Sequence, residues 1–147
     1  QEVTAAMLTP QIERLPVIKK VHVANWNLIH SLIAGHPNIE IPPLLPQVDS
    51  FCDTMQFHLV GMSREEADRF IDLMKQEGIP MQIFGAKRNA RDYRQWEYIE
   101  AHKDELSETI ANIEFACDLS LQPHLTEANI RTMGQVFHDV LDYMNGD

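Results

Sequence analysis

The sequence predicts an α+β fold, in which helices pack on one face of a small antiparallel or mixed three-stranded sheet, preceded by a long connecting helix. Three short segments are apolar or alternate apolar with polar residues, as partly buried strands do. Longer segments repeat apolar residues every three or four positions, which indicates amphipathic helices. Helices and strands alternate along the chain, and three short strands can form one layered domain.

The first helical region occupies roughly the first quarter of the chain. Residues 2–14 have helical composition, and from Val17 to Ile33 apolar residues recur at spacings of three and four. A glycine and then a proline follow, which is typical of a helix end. Pro10 and Pro16 predict a kink or a break near each of these positions.

The three predicted strands are Met55–Val60, Met81–Phe84 and Cys117–Leu121. A glycine follows the first strand and a proline follows the third, and both residue types commonly end strands. Ahead of the first strand, three prolines make Ile39–Gln47 an extended and irregular segment.

Three more helices are predicted between and after these strands. Ser63 with Glu66 three residues later forms a capping box, and Thr126 with Asn129 forms an imperfect one. Residues 104–116 carry apolar residues in helical phase.

Composition and charge argue against several classes of function. A net charge of -10 argues against nucleic-acid binding and against docking to anionic membranes, since both need basic surface. None of the seven histidines has metal-site spacing, so no metal is predicted. We interpret Cys52 and Cys117 as buried thiols rather than a disulfide. Without a visible signal peptide, we expect a cytoplasmic protein.

One segment, Phe84–Glu100, concentrates a third of the 12 basic residues of this acidic chain. Arginine suits carboxylates and phosphates, and aromatic residues between the arginines could line a pocket. The segment is therefore either an anion clamp or a solvated loop that leads into a helix. The basic and aromatic residues are Phe84, Lys87, Arg88, Arg91, Tyr93, Arg94, Trp96 and Tyr98.

Nearly the whole chain resembles the C-terminal part of fold-type I pyridoxal-phosphate-dependent aminotransferases, most closely the DegT/StrS sugar aminotransferases. The start, EVTAAMLTPQIERLPVIKKVHVANWNLI, is similar to the segment that closes the large domain of that family, although Ile12 and Pro16 depart from its pattern. The matching residues are Glu2, Ala5, Ala6, Gln11, Leu15, Lys19 and Lys20. MQFHLV, REEADRFIDLMKQEGI, PMQIF and CDLSLQPHLTEANI follow the order of its small domain.

The resemblance implies that residues 1–34 are a connecting helical segment from a large domain outside this chain and residues 35–147 the small domain. It implies a pyridoxal 5'-phosphate cofactor bound mainly by that large domain, together with the Schiff-base lysine upstream of this chain. The full-length enzyme would be a homodimer, and this chain alone would be inactive. A helical pattern already present at the first residue, without an initiator Met, agrees with that expectation.

The implied reaction transfers an amino group from glutamate or glutamine to a keto-sugar. Small domains of such enzymes often supply an arginine for the substrate carboxylate, and the segment after the second predicted strand is the matching position. The candidate substrate-binding residues are Arg88, Arg91, Asn89, Phe84 and Trp96. Two alternatives remain: the small domain of another fold-type I enzyme, an aldolase or lyase acting on an amino acid, or a non-enzymatic α+β module that binds a protein partner.

Overall fold

The computed structural model describes residues 2–86, 89–97 and 106–146. Its helices and strands follow the predicted alternation, with one additional short strand near the start. The elements are α1 (Glu2–Ile33), β1 (Ile39–Glu40), β2 (Thr54–Leu59), α2 (Arg64–Gln76), β3 (Met81–Ile83), a 3-10 turn (Tyr93–Gln95), α3 (Ser107–Phe115), β4 (Ala116–Ser120) and α4 (Glu127–Asn145).

The sheet confirms the predicted α+β class but has four strands instead of three, in the order β1-β2-β4-β3, and all neighbours are antiparallel. The sequence pattern did not predict β1, because it is only two residues long and enters a proline-rich segment. β4 is one of the two inner strands of the sheet. Its Asp118 lies opposite Gln56 of β2 on one side and Gln82 of β3 on the other.

The helices cover one face of the sheet, and the core lies between them. Phe137 of α4 contacts Phe57 of β2 and Phe70 of α2, with ring centroids 5.7 and 5.8 Å apart. All three rings are almost fully buried. The opposite face of the sheet is polar, since Gln56 and Gln82 are exposed there.

Helix termini follow the sequence signals. Both capping boxes form, with Ser63 Oγ accepting from Glu66 N and Thr126 Oγ1 accepting from Asn129 N. α1 continues through Pro10 and Pro16, so neither proline breaks the helix, and of the expected kink or break only the kink stays a prediction. Each proline removes one backbone hydrogen bond, and the other bonds of a 32-residue helix outweigh that loss.

The two cysteines are free and buried, which agrees with the interpretation as thiols. Burial raises the pKa of the Cys117 thiol to about 12, so it stays protonated and unreactive at neutral pH. Within the described residues, no helix has both the length and the apolar character that crossing a membrane requires.

Candidate functional site

The site segment, residues 84–97 without the undescribed residues 87 and 88, leaves the end of β3 and turns back beside the sheet. Backbone hydrogen bonds fix its first two residues to β4 and α3. Phe84 N donates to Ala116 O at 2.9 Å, and Gly85 N donates to Ile113 O at 2.7 Å. The segment is therefore anchored to the end of α3 and the start of β4 before it turns.

Asn89 braces the turn through both ends of its amide. Its Nδ2 donates to Ile83 O at 2.8 Å, and its Oδ1 accepts from Arg91 N at 3.0 Å. The side chain thus ties the last residue of β3 to the backbone of Arg91. This geometry makes Asn89 a residue that orients its neighbour.

Arg91 extends from this turn onto the polar face of the sheet. Its Nη1 donates to Asp118 Oδ2, and its guanidinium lies over the Phe84 ring with 5.2 Å between Cζ and the ring centroid. The Arg91 side chain is 51% exposed, whereas that of Asp118 is 7% exposed. Arg91 is therefore a half-exposed cation held between a buried carboxylate and an aromatic ring.

Arg94 has a different environment, although it lies only three residues further on. Its Nε and Nη2 donate to the carboxylate of Asp92 at 2.8–3.1 Å, and its backbone N donates to Asp92 Oδ1. Burial raises the pKa of Asp92, but the hydrogen bonds and charge of Arg94 outweigh it and hold the pKa below its usual value. Arg94 therefore stabilises the segment itself.

Trp96 closes the segment. Its Nε1 donates to Ala90 O at 2.7 Å, and 38% of its surface stays exposed. The indole ring thus combines a fixed polar edge with an accessible apolar surface.

The structure brings four of the five sequence-predicted site residues into this segment, namely Phe84, Asn89, Arg91 and Trp96. The fifth, Arg88, lies outside the described residues, as do Lys87 and Tyr98. Sequence reasoning missed Asp118, the partner of Arg91. The available signal was a carboxylate in the middle of the otherwise largely apolar strand Cys117–Leu121, where a charge needs a partner.

A polar cleft of about 710 Å³ lies beside the segment, between it and α2. Arg64 pairs there with Asp68 and donates to Glu114 O at 3.0 Å, and Arg94 is held by Asp92. Acidic partners thus occupy both arginines of the cleft, so the half-exposed Arg91 is the stronger candidate to bind an anion.

Comparison with known proteins assigns the family. A sequence profile of the DegT/DnrJ/EryC1/StrS aminotransferase family matches residues 1–138. This chain belongs to that family. The assignment confirms the resemblance noted from the sequence, and the DegT/StrS group is pyridoxal-phosphate-dependent.

Solved structures with the same fold include two proteins named as aminotransferases and one named as a synthase. Spr1654 from Streptococcus pneumoniae, assigned as a sugar aminotransferase and solved in its PLP form, has a TM-score of 0.80 at 18% identity over 98% of this chain and 36% of that chain. The aminotransferase TlmJ from Streptoalloteichus hindustanus has a TM-score of 0.76 at 14% identity over 92% and 35%. The 3-amino-5-hydroxybenzoic acid synthase has a TM-score of 0.72 at 18% identity, over 90% of this chain and 36% of that chain.

The DegT/StrS chain thus spans about a third of the length of these structures. At these identities the likeness shows the fold. No curated protein matches the sequence at a significant level.

The three lysines in the described parts of the DegT/StrS chain all lie on helices. Lys19 lies on α1 in an ion pair with Asp49, and Lys20 and Lys75 are exposed on helices. A lysine that holds a cofactor needs an enclosed site, and an ion-paired or exposed position on a helix does not provide one. No group of metal-ligating side chains occurs in the described parts of the chain either.

Proposed function

We propose that this chain is the small domain of a pyridoxal-phosphate-dependent aminotransferase that transfers an amino group from glutamate or glutamine to a keto-sugar. The observation that carries the proposal is the family match over residues 1–138. The fold shared with Spr1654 and TlmJ supports it. In this proposal residues 1–34 connect to a large domain, residues 35–147 form the small domain, and the full-length enzyme is a cytoplasmic homodimer.

In the proposed enzyme the site segment forms one wall of the active site. Arg91 uses one guanidinium nitrogen for Asp118 and keeps the exposed part of its planar fork for a substrate carboxylate or a sugar-nucleotide group. Phe84 and Trp96 provide apolar surface that excludes water, which strengthens charge interactions at Arg91. Arg88 and Asn89 are the other two proposed substrate-binding residues, and Asn89 orients Arg91. The cofactor, when bound by the large domain, supplies an electron sink.

A second candidate is another amino-acid reaction on the same fold, an aldolase or lyase. The non-sugar product named for one structural neighbour, 3-amino-5-hydroxybenzoic acid, supports a wider range of chemistry for this fold. A spectrum of the full-length protein with glutamate separates the two. Transamination converts the bound pyridoxal phosphate to the pyridoxamine form, and an unchanged spectrum with both glutamate and glutamine would count against the proposed function. The isolated chain is expected to be inactive in the same assay.

The role of Arg91 is tested in the full-length enzyme by Arg91→Ala. Loss of charge-assisted hydrogen bonds, worth about 1.5–3 kcal/mol, is expected to raise KM for the amino donor about 10- to 150-fold. Arg88→Ala tests Arg88, which lies outside the described residues, in the same way. Arg131→Ala is the matched control, because Arg131 pairs with Glu127 on the exposed side of α4. A change in KM of less than about twofold for both Arg88→Ala and Arg91→Ala would refute the clamp.

A further inference from the structure

We propose that Asp118 is a positioning residue that fixes the direction of the Arg91 guanidinium at the polar face of the sheet. The inference rests on the proposed substrate-binding role of Arg91 and adds a residue that the family assignment and the sequence do not provide. Asp118 acts through Arg91 and does not itself contact substrate.

The place of Asp118 in the sheet makes it a rigid support. It lies on the central strand β4, where antiparallel pairing holds its backbone from both sides, with Gln56 and Gln82 as its neighbours. Only 6% of Asp118 is exposed. A strand in the middle of a sheet moves less than a loop, so a carboxylate there defines a fixed point for a side chain that arrives from the site segment.

The cost of burying a carboxylate also links Asp118 to Arg91. A buried carboxylate is costly unless a cation and hydrogen bonds compensate it. Arg91 Nη1 donates to Oδ2, while Oδ1 has no hydrogen-bond partner in the part of the chain that the structure describes. The Asp118 carboxylate is therefore held through Oδ2 by Arg91.

Three contacts together restrict the guanidinium. Asp118 holds one nitrogen, the Phe84 ring covers one flat side, and Asn89 Oδ1 fixes the backbone N–H of Arg91. These contacts leave the other N–H groups of the guanidinium for a ligand, since half of the Arg91 side chain is exposed. Pre-ordering a flexible side chain in this way removes the conformational entropy that ligand binding would otherwise cost.

The experiment is a double-mutant cycle between Asp118→Asn and Arg91→Ala in the full-length enzyme. Asp118→Asn is expected to raise KM for the amino donor about tenfold while kcat stays within about twofold. In the Arg91→Ala background it should raise KM no further. Asp118→Glu, which keeps the charge, is expected to return KM to within about threefold of wild type. Asp139→Asn, on the exposed side of α4, is the control and should leave KM unchanged.

The outcomes separate this inference from the proposed function. Equal increases of KM in both backgrounds would show a general structural effect of Asp118 and overturn the positioning role. A wild-type KM for Asp118→Asn beside a raised KM for Arg91→Ala would overturn it while the clamp survives. An unchanged KM for Arg91→Ala would overturn the positioning role, and the clamp would fall with it if Arg88→Ala also left KM unchanged. If Asp118→Asn does not fold, Asp118→Ser carries the same cycle, with a raised KM expected when Arg91 is present and no further increase in the Arg91→Ala background.

Discussion

Gly85 is the position at which the site segment is most sensitive to a single added methyl group. A Cβ at this residue would lie 2.9 Å from Ile113 O, 3.1 Å from Glu114 Cα and 3.2 Å from Glu114 N. Ordinary contacts to a Cβ begin at 3.4 Å, so the methyl group is about half an ångström too close to the backbone. Backbone atoms at the end of α3 cannot rotate away as a side chain would, so the site segment itself must move.

Gly85→Ala is therefore expected to destabilise the protein by about 1–3 kcal/mol through overpacking. The same displacement stretches the hydrogen bond from Gly85 N to Ile113 O, now 2.7 Å, which is worth about 1 kcal/mol more. The substitution also shifts Phe84, which lies next to Gly85 and under the Arg91 guanidinium. Stability and donor binding should therefore fall together.

The assay is urea unfolding of the variant, combined with KM for the amino donor in the full-length enzyme. Gly78→Ala is the matched control, because Gly78 has a positive φ of 81° and no atom within 4 Å of its Cβ position. It should lose about 1 kcal/mol from backbone strain alone and leave KM unchanged. A free energy of unfolding for Gly85→Ala within about 0.5 kcal/mol of wild type, or a KM change equal to that of Gly78→Ala, would refute the reasoning.

Two further predictions concern ionisable groups, and urea unfolding at several pH values tests both. Asp92→Asn should cost about 1.5–3 kcal/mol at pH 7. Because the pKa of Asp92 is lowered in the folded state, its carboxylate contributes fully to stability above the unfolded pKa near 3.8, and this contribution is lost as the pH falls below that value. The cost of Asp92→Asn should therefore shrink at low pH, and a cost that does not depend on pH would contradict this prediction. Burial, and then the neighbouring His138, lower the pKa of His36, while Asp142 partly opposes them. The wild type should therefore lose stability as pH falls below about 6.5, and His36→Gln should show a weaker loss; identical pH dependence would contradict it.

The sequence predicted those parts of the fold that depend on local chemistry. Ser63 and Thr126 each have a capping partner three residues later, and both boxes form. Alternation at Met55, Phe57 and Leu59 predicted a strand with one buried face, which the burial of β2 confirms. The two-residue strand β1 could not be predicted in this way, because its pairing with β2 depends on tertiary contact and not on a pattern of its own.

The sequence predicted the position of the site segment but not the partner of Arg91, and the role of the segment as a substrate site stays a prediction. The spacing of Phe84, Arg91 and Trp96 indicated a basic and aromatic segment, and the structure places these residues in one braced turn. The link from Arg91 to Asp118 spans 27 residues of sequence and depends on the register of β3 with β4. A single sequence contains no signal for such a register, so Asp118 could not be identified from the sequence as the partner of Arg91.

The contrast between Arg91 and Arg94 shows why charge alone is a poor guide to a site in this protein. Acidic residues outnumber basic ones by 22 to 12, so an arginine readily finds a carboxylate. Arg94 is bound to Asp92 through two nitrogens and its side chain is 28% exposed, which leaves little of it for a ligand. Arg91 gives one nitrogen to Asp118 and remains half exposed. The capacity to bind an anion therefore depends on how much of the guanidinium fork stays open after pairing.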